Sequence, residues 1–190
     1  MKNFNNIDER VVDDLKKELK AQSKLKIAAA SFSIYAYEEL KKELEKVDQI
    51  QFLFTSDLFT KEKAPKEKRE FFIPRLNRES QLYGNEFELR MRNELSQKAI
   101  AKEAAEWIRQ KVTFKSNISG QRSDNFMVVE NKGNINVYAP FDEFTTAEIG
   151  TTKGEKLFYN ISKFENENTQ QFLNAFEQVW HNQDYVDEVT

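Results

Sequence analysis

Apolar residues recur along the first third of the chain in two alternating rhythms. Ile7, Val11, Leu15 and Leu19 stand four apart with Asp and Lys between them, which predicts a helix over 8–22. Ser23-Lys24 interrupts it, and the small apolar run Leu25-Lys26-Ile27-Ala28-Ala29-Ala30-Ser31-Phe32 predicts a buried strand. Tyr37, Leu40, Leu44 and Val47 mark one face of a helix over 35–47. Gln49-Ile50-Gln51-Phe52-Leu53-Phe54-Thr55, with β-branched and aromatic residues, predicts a second strand. Helix, strand, helix, strand is the pattern of an α/β unit whose parallel strands are joined by a crossover helix.

The stretch 56–80 breaks the rhythm. It has no clean period, holds Pro65 and Pro74, and carries Lys61, Lys63, Lys66, Lys68, Arg69, Arg75 and Arg78. So long a stretch without periodicity is uncommon inside a compact domain and points to function or to a disordered excursion. Residues 83–95 fit a strand or a short helix. From 96 to 111 the helical period returns, with Ser96 as its expected N-cap and Ile100, Ala104, Trp107 and Ile108 as a core-facing stripe.

The last third is strand-rich. Strands are expected at 112–115, 126–129, 135–138 and 156–161, with Asn131-Lys132-Gly133-Asn134 as a hairpin turn. Phe172, Leu173, Phe176, Val179 and Trp180 form the apolar side of a final helix that Asn168 or Thr169 can cap. With no internal repeat and no boundary, residues 1–190 read as one α/β domain: a mixed central sheet with helices on both faces.

Composition narrows the chemistry. The chain has no cysteine and one histidine, His181, at the end of the last helix, where a solvent-facing position is expected. A thiol nucleophile, a thiolate metal site and a histidine-rich metal cage are excluded by counting. No metal site and no cofactor is expected. No stretch approaches the roughly 20 apolar residues of a membrane span, and the N-terminus lacks a signal peptide's apolar core, so a cytoplasmic protein is expected. Net charge is −3, yet residues 61–122 hold 15 Lys/Arg against 9 Glu and no Asp. That asymmetry permits an anionic partner on one face, although a solvated loop and a charged helix face read equally well.

In the C-terminal third, three segments follow one another in an ordered way. Ser123-Asp124-Asn125-Phe126-Met127-Val128-Val129-Glu130 precedes Pro140-Phe141-Asp142-Glu143-Phe144-Thr145-Thr146-Ala147-Glu148-Ile149, and a helix from Phe172 ends at Trp180. This arrangement resembles a single half of the phospholipase D-like fold, with its H-x-K-x(4)-D strand and its G-S-x-N-F-T segment. The resemblance places Ser123 in the slot of the nucleophilic histidine, Asn125 in that of the lysine, Glu130 in that of the aspartate and Glu143 in that of the phosphate-holding asparagine. Neither Ser123 nor Asn125 can replace an imidazole attacking phosphorus or a cation stabilising phosphoryl oxygens, and Glu143 would repel the substrate. The resemblance therefore implies the frame without the catalytic residues.

A second similarity covers about residues 7–190. Lys26-Ile27-Ala28-Ala29-Ala30-Ser31-Phe32-Ser33-Ile34-Tyr35, Lys63-Ala64-Pro65-Lys66-Glu67-Lys68-Arg69-Glu70-Phe71, Gln97-Lys98-Ala99-Ile100-Ala101-Lys102-Glu103 and Val112-Thr113-Phe114-Lys115-Ser116-Asn117 are similar to the N-terminal region of bacterial superfamily-two, remodeller-type helicases. It implies the fragment ahead of a C-terminal ATP-dependent motor. The five glycines (84, 120, 133, 150 and 154) make no phosphate-binding loop in this chain itself.

Three functions follow as expectations. The first is a non-catalytic module that binds DNA weakly through phosphates at Lys66, Lys68, Arg69, Arg75 and Arg78, or positions a motor on it. The second is a dimerisation or protein-interaction module, a homodimer about a two-fold axis. The third is an atypical nuclease using a metal held by Asp142, Glu143 and Glu130.

Overall fold

Five consecutive residues with buried side chains on both faces, Leu25 to Ala29, are what a central strand looks like, and β2 (Lys24–Ala29) is the heart of the sheet in a computed structural model that describes residues 1–55 and 94–189. It pairs in parallel with β3 (Gln49–Phe54), with Leu25 opposite Ile50 and Ala29 opposite Phe54, and antiparallel with β5 (Phe126–Asn131). The parallel run continues through β4 (Val112–Asn117), and β6 (Asn134–Ala139) returns from β5 through a tight turn with Gly133 at φ +81°. With β1 (Lys2–Phe4), β7 (Ile161–Glu165) and β8 (Val186–Glu188) the order is β1-β7-β6-β5-β2-β3-β4-β8, an open mixed sheet of eight strands. Both edges are three-residue strands, which leaves little unpaired backbone to recruit another chain.

Helices lie on both faces. Helices α1 (Val11–Glu18), α2 (Ile34–Leu44), α3 (Glu94–Lys111) and the single-turn α4 (Thr146–Ile149) bury one face around Leu15, Tyr35, Leu40, Ile27, Phe52 and Tyr138. Aromatics dominate there: Phe32 stacks on Phe144 at 5.2 Å and meets Phe52 and Phe114 edge-on. Trp107 lies 4.6 Å from Tyr37, so the α3 stripe is core as its spacing predicts. The other face is covered by α5 (Gln170–Trp180), whose Phe176 and Trp180 pack on Ala28, Leu53, Val128 and Val137.

Several expected boundaries move, each for a local reason. The first helix begins at Val11, not residue 8: Asn5 Oδ1 accepts the N–H groups of Ile7, Asp8 and Glu9, and Asn6 Oδ1 accepts that of Val11. Ile7 is therefore outside the helix and exposed. Its end comes at Glu18, followed by a turn in which Gln22 has φ +69° and Ser23 Oγ accepts from Lys20. Ser96 falls inside α3, which already runs from Glu94, so it is not the cap. Thr169 holds the N-cap position of α5, but its hydroxyl donates to Asn166 O instead of capping. The strand expected at 156–161 is absent. Lys156 is tied elsewhere, Leu157 and Phe158 face solvent, and the strand starts only at Ile161. The ambiguous residues 83–93 lie outside the described residues. No described helix is long and apolar enough to cross a membrane.

Candidate functional site

The parallel strands place their carboxyl ends on one rim of the sheet, where open α/β sheets present ligand sites. Thr55 follows β3, Asn117 ends β4, Asn125 precedes β5 and Asp142 follows β6, so four strands deliver four polar side chains to the same rim. They are chained together. Thr55 Oγ1 donates to Asn125 Oδ1 at 2.6 Å, Asn125 Nδ2 donates to Asp142 Oδ1 at 3.3 Å, and Asn117 Nδ2 donates to Thr55 O at 3.2 Å. Backbone bonds fix the frame: Ala30 N donates to Asp142 O at 2.8 Å and Phe141 N to Asn125 O at 3.0 Å.

Lys156 closes the cluster from the 151–160 loop. Its Nζ is 2.7 Å from Asp142 Oδ2 and 3.1 Å from Glu148 Oε2. Glu148 is only 2% exposed, and its Oε1 accepts the Asp142 N–H at 2.8 Å. Burial raises the Glu148 carboxyl above its ordinary range despite these partners. Burial also pushes Asp142 up, but the hydrogen bond and charge of Lys156 prevail and hold it low. Lys156 itself is pulled down by burial and raised further by Asp142 and Glu148, so it stays a cation. The Lys156 ammonium is thus opposed by two carboxylates, Asp142 and Glu148.

The residues singled out from sequence divide between two ends of the sheet. Asn125 and Asp142 meet at the rim, and Glu143, half-buried, follows directly in the chain. Ser123 lies in the loop before β5, half-exposed, with its hydroxyl on Asp124 O at 3.2 Å. Glu130 is at the far end of β5, five residues and about 17 Å along the strand from Asn125, where it pairs with Lys26. The three-carboxylate metal site on Asp142, Glu143 and Glu130 is therefore not assembled, and among the described residues no group of three His, Asp or Glu is placed to hold a metal. Lys66, Lys68, Arg69, Arg75 and Arg78 lie outside the described residues. His181 caps the end of α5 with its side chain 69% exposed, 3.0 Å from Glu177, in the solvent-facing place its position predicts.

Sequence reading missed Lys156, Glu148 and Thr55. One signal was present: Thr145-Thr146-Ala147-Glu148 has the T-x-x-E spacing of a helix start, and Thr145 Oγ1 indeed accepts the Glu148 N–H at 3.2 Å. The Lys156 contacts, across 14 and 8 residues of chain, carry no such signature.

Fold and rim together define an α/β domain with a mixed, open eight-stranded sheet and a polar cluster on the rim where β3, β4 and β6 end and β5 begins. Neither models of known protein families nor curated proteins match the chain.

Proposed function

We propose that this chain is a phospholipase D-like half without catalytic function that binds nucleic acid through phosphate contacts, in the setting of a helicase-type motor protein. The observation that carries the reading is the Asn125–Asp142 contact. The two segments aligned with the catalytic strand and the phosphate-holding segment come together at the rim through Asn125 and Asp142, 17 residues apart in the chain, whose side chains are only 3.3 Å apart. That juxtaposition supports the reading, since it brings the lysine slot beside the phosphate-holding segment. At the same place the chemistry is spent inward: Asn125 is held between Thr55 and Asp142, and Lys156 between Asp142 and Glu148. No imidazole stands near to attack phosphorus, since His181 is on α5 beside Glu177.

The nucleic-acid component is supported by charge: residues 61–122 hold 15 Lys/Arg against 9 Glu in a chain of net charge −3. Phosphate contacts release counterions, so such binding weakens steeply with salt and carries no base information. The test is a gel-shift titration of DNA at about 0.05 M and 0.2 M salt, beside light scattering and incubation with plasmid DNA with and without divalent metal. Micromolar or weaker binding that falls with salt, flattens in slope when Lys66, Lys68 and Arg69 are neutralised, and leaves the plasmid intact is the expected result. No shift at either salt retires the nucleic-acid role, and an eluting dimer then favours an interaction module. Plasmid cleavage abolished by Glu143→Ala or Ser123→Ala overturns the non-catalytic assignment.

A further inference from the structure

Of the twelve phenylalanines in the described residues, eleven are buried or half-buried; Phe158 is 74% exposed, and Leu157 before it is 96% exposed. Their loop is pinned on both sides of the pair. Thr146 and Thr152 hydroxyls meet at 2.8 Å, and Thr152 N donates to Thr146 O at 3.3 Å. Lys156, the residue before Leu157, is clamped on Asp142 and Glu148, and its ammonium lies 5.2 Å from the centre of the Tyr159 ring. Tyr159 in turn packs so closely on Gly154 that a Cβ there would lie 1.9 Å from its hydroxyl. Two large apolar side chains are thus held in water by a loop whose shape is set elsewhere, an exposure that burial against a partner would relieve.

Size decides what can cover them. The pair offers on the order of 300 Å² of apolar surface, well short of the roughly 800 Å² per partner of a stable protein interface. It is the right scale for one or two nucleobases, whose stacking on an aromatic ring is indifferent to sequence. The tip also stands beside the rim where the strand ends converge, with the exposed cation Lys153 in the same loop. We propose that Phe158, supported by Leu157, is a stacking platform for the bases of single-stranded nucleic acid, presented by the Lys156 clamp. This rests on the reading of the domain as a nucleic-acid binder and names the strand state it selects. Paired bases inside a duplex have no free face to offer, so a duplex gains nothing from Phe158. The carboxylates Glu143 and Glu155, which both act on neighbouring Tyr159, weaken the field for phosphates here. Affinity at the tip therefore comes from stacking and not from charge.

The experiment is fluorescence anisotropy of the full chain with labelled dT20 and with a 20-base-pair duplex, for wild type, Phe158→Ala and Phe158→Tyr. Tighter binding of dT20 than duplex is expected, with Phe158→Ala weakening dT20 five-fold or more, Phe158→Tyr restoring it, and duplex affinity unchanged. The salt slope should be the same in all three, because no ion pair is removed. Binding of dT20 that Phe158→Ala leaves intact overturns the platform while leaving the nucleic-acid reading standing. No binding of either probe overturns both, and a dimer that Phe158→Ala converts to monomer would assign the tip to a second copy.

Discussion

Replacing Lys163 with Met should unsettle the fold more than any surface change, because of what it leaves behind. Lys163 is 4% exposed on β7, with Nζ 2.9 Å from Asp14, 3.0 Å from Glu18 and 3.6 Å from Glu165. Asp14 is equally enclosed and also accepts from the Tyr138 hydroxyl at 2.6 Å, with Lys2 3.5 Å away. Removing one partner of a buried pair costs roughly 3–5 kcal/mol, since the other charge stays buried. Asp14 keeps Tyr138 and a half-exposed Lys2, and Glu18 reaches water, which places Lys163→Met near the low end, about 3 kcal/mol. With a urea slope of about 2 kcal/mol/M, the midpoint should fall by about 1.5 M. Adding Asp14→Asn should recover part of the loss, because the stranded carboxylate is gone.

The pH dependence of that difference follows from the two groups. Burial lowers Lys163, but its hydrogen bonds to Asp14 and Glu18 outweigh this and raise it above the ordinary lysine value. Its contribution is complete below that ordinary value and is lost as the pH rises through the higher folded one. Burial raises Asp14, but Tyr138 and Lys163 outweigh this and hold it below the ordinary aspartate value. Its contribution is complete above that ordinary value and is lost as the pH falls through the lower folded one. The gap between wild type and variant should be level from about pH 5 to about pH 9 and shrink below about pH 4. A midpoint shift under about 0.25 M urea, or a gap that grows in acid, would refute the network as a source of stability.

Glu148→Gln should remove a pH dependence of the opposite sign. Burial raises the Glu148 carboxyl, so the folded state takes up a proton before the unfolded one, and wild-type stability should rise as the pH falls from neutrality towards about 4.5; the variant's urea midpoint should lack that rise. A wild type that only loses stability over that interval would contradict the assignment. Asn6→Ala should cost about 1–2 kcal/mol, because Asn6 both accepts the Val11 N–H at 3.1 Å and donates to Glu148 O at 2.7 Å; a thermal melt shifted by less than the experimental error would show that this clasp does not matter.

Periodicity along the chain was enough to place β2, β3, α2, β5, β6, the α3 stripe and α5, because each of these buries one or both faces and its apolar spacing is dictated by local geometry. The absence of cysteine and the single histidine likewise settled which reactive groups could exist at all. What spacing could not supply was everything decided by partners far away in the chain. Leu157 and Phe158 have the composition of a strand, yet Lys156 is drawn to Asp142 and Glu148, and the strand waits until Ile161. Ile7 continues the i, i+4 series, yet Asn5 and Asn6 take the backbone N–H groups that a helix would have used. The edge strands β1 and β8, three residues each, are too short to show a period and exist only because β7 and β4 offer them a ladder. Glu130 and Asp142 are both carboxylates near a suggestive motif, and only the direction of β5 puts them at opposite ends of the sheet. Burial and hydrogen-bond pairing are properties of the assembled sheet, so the rim's chemistry became legible only when four strand ends met.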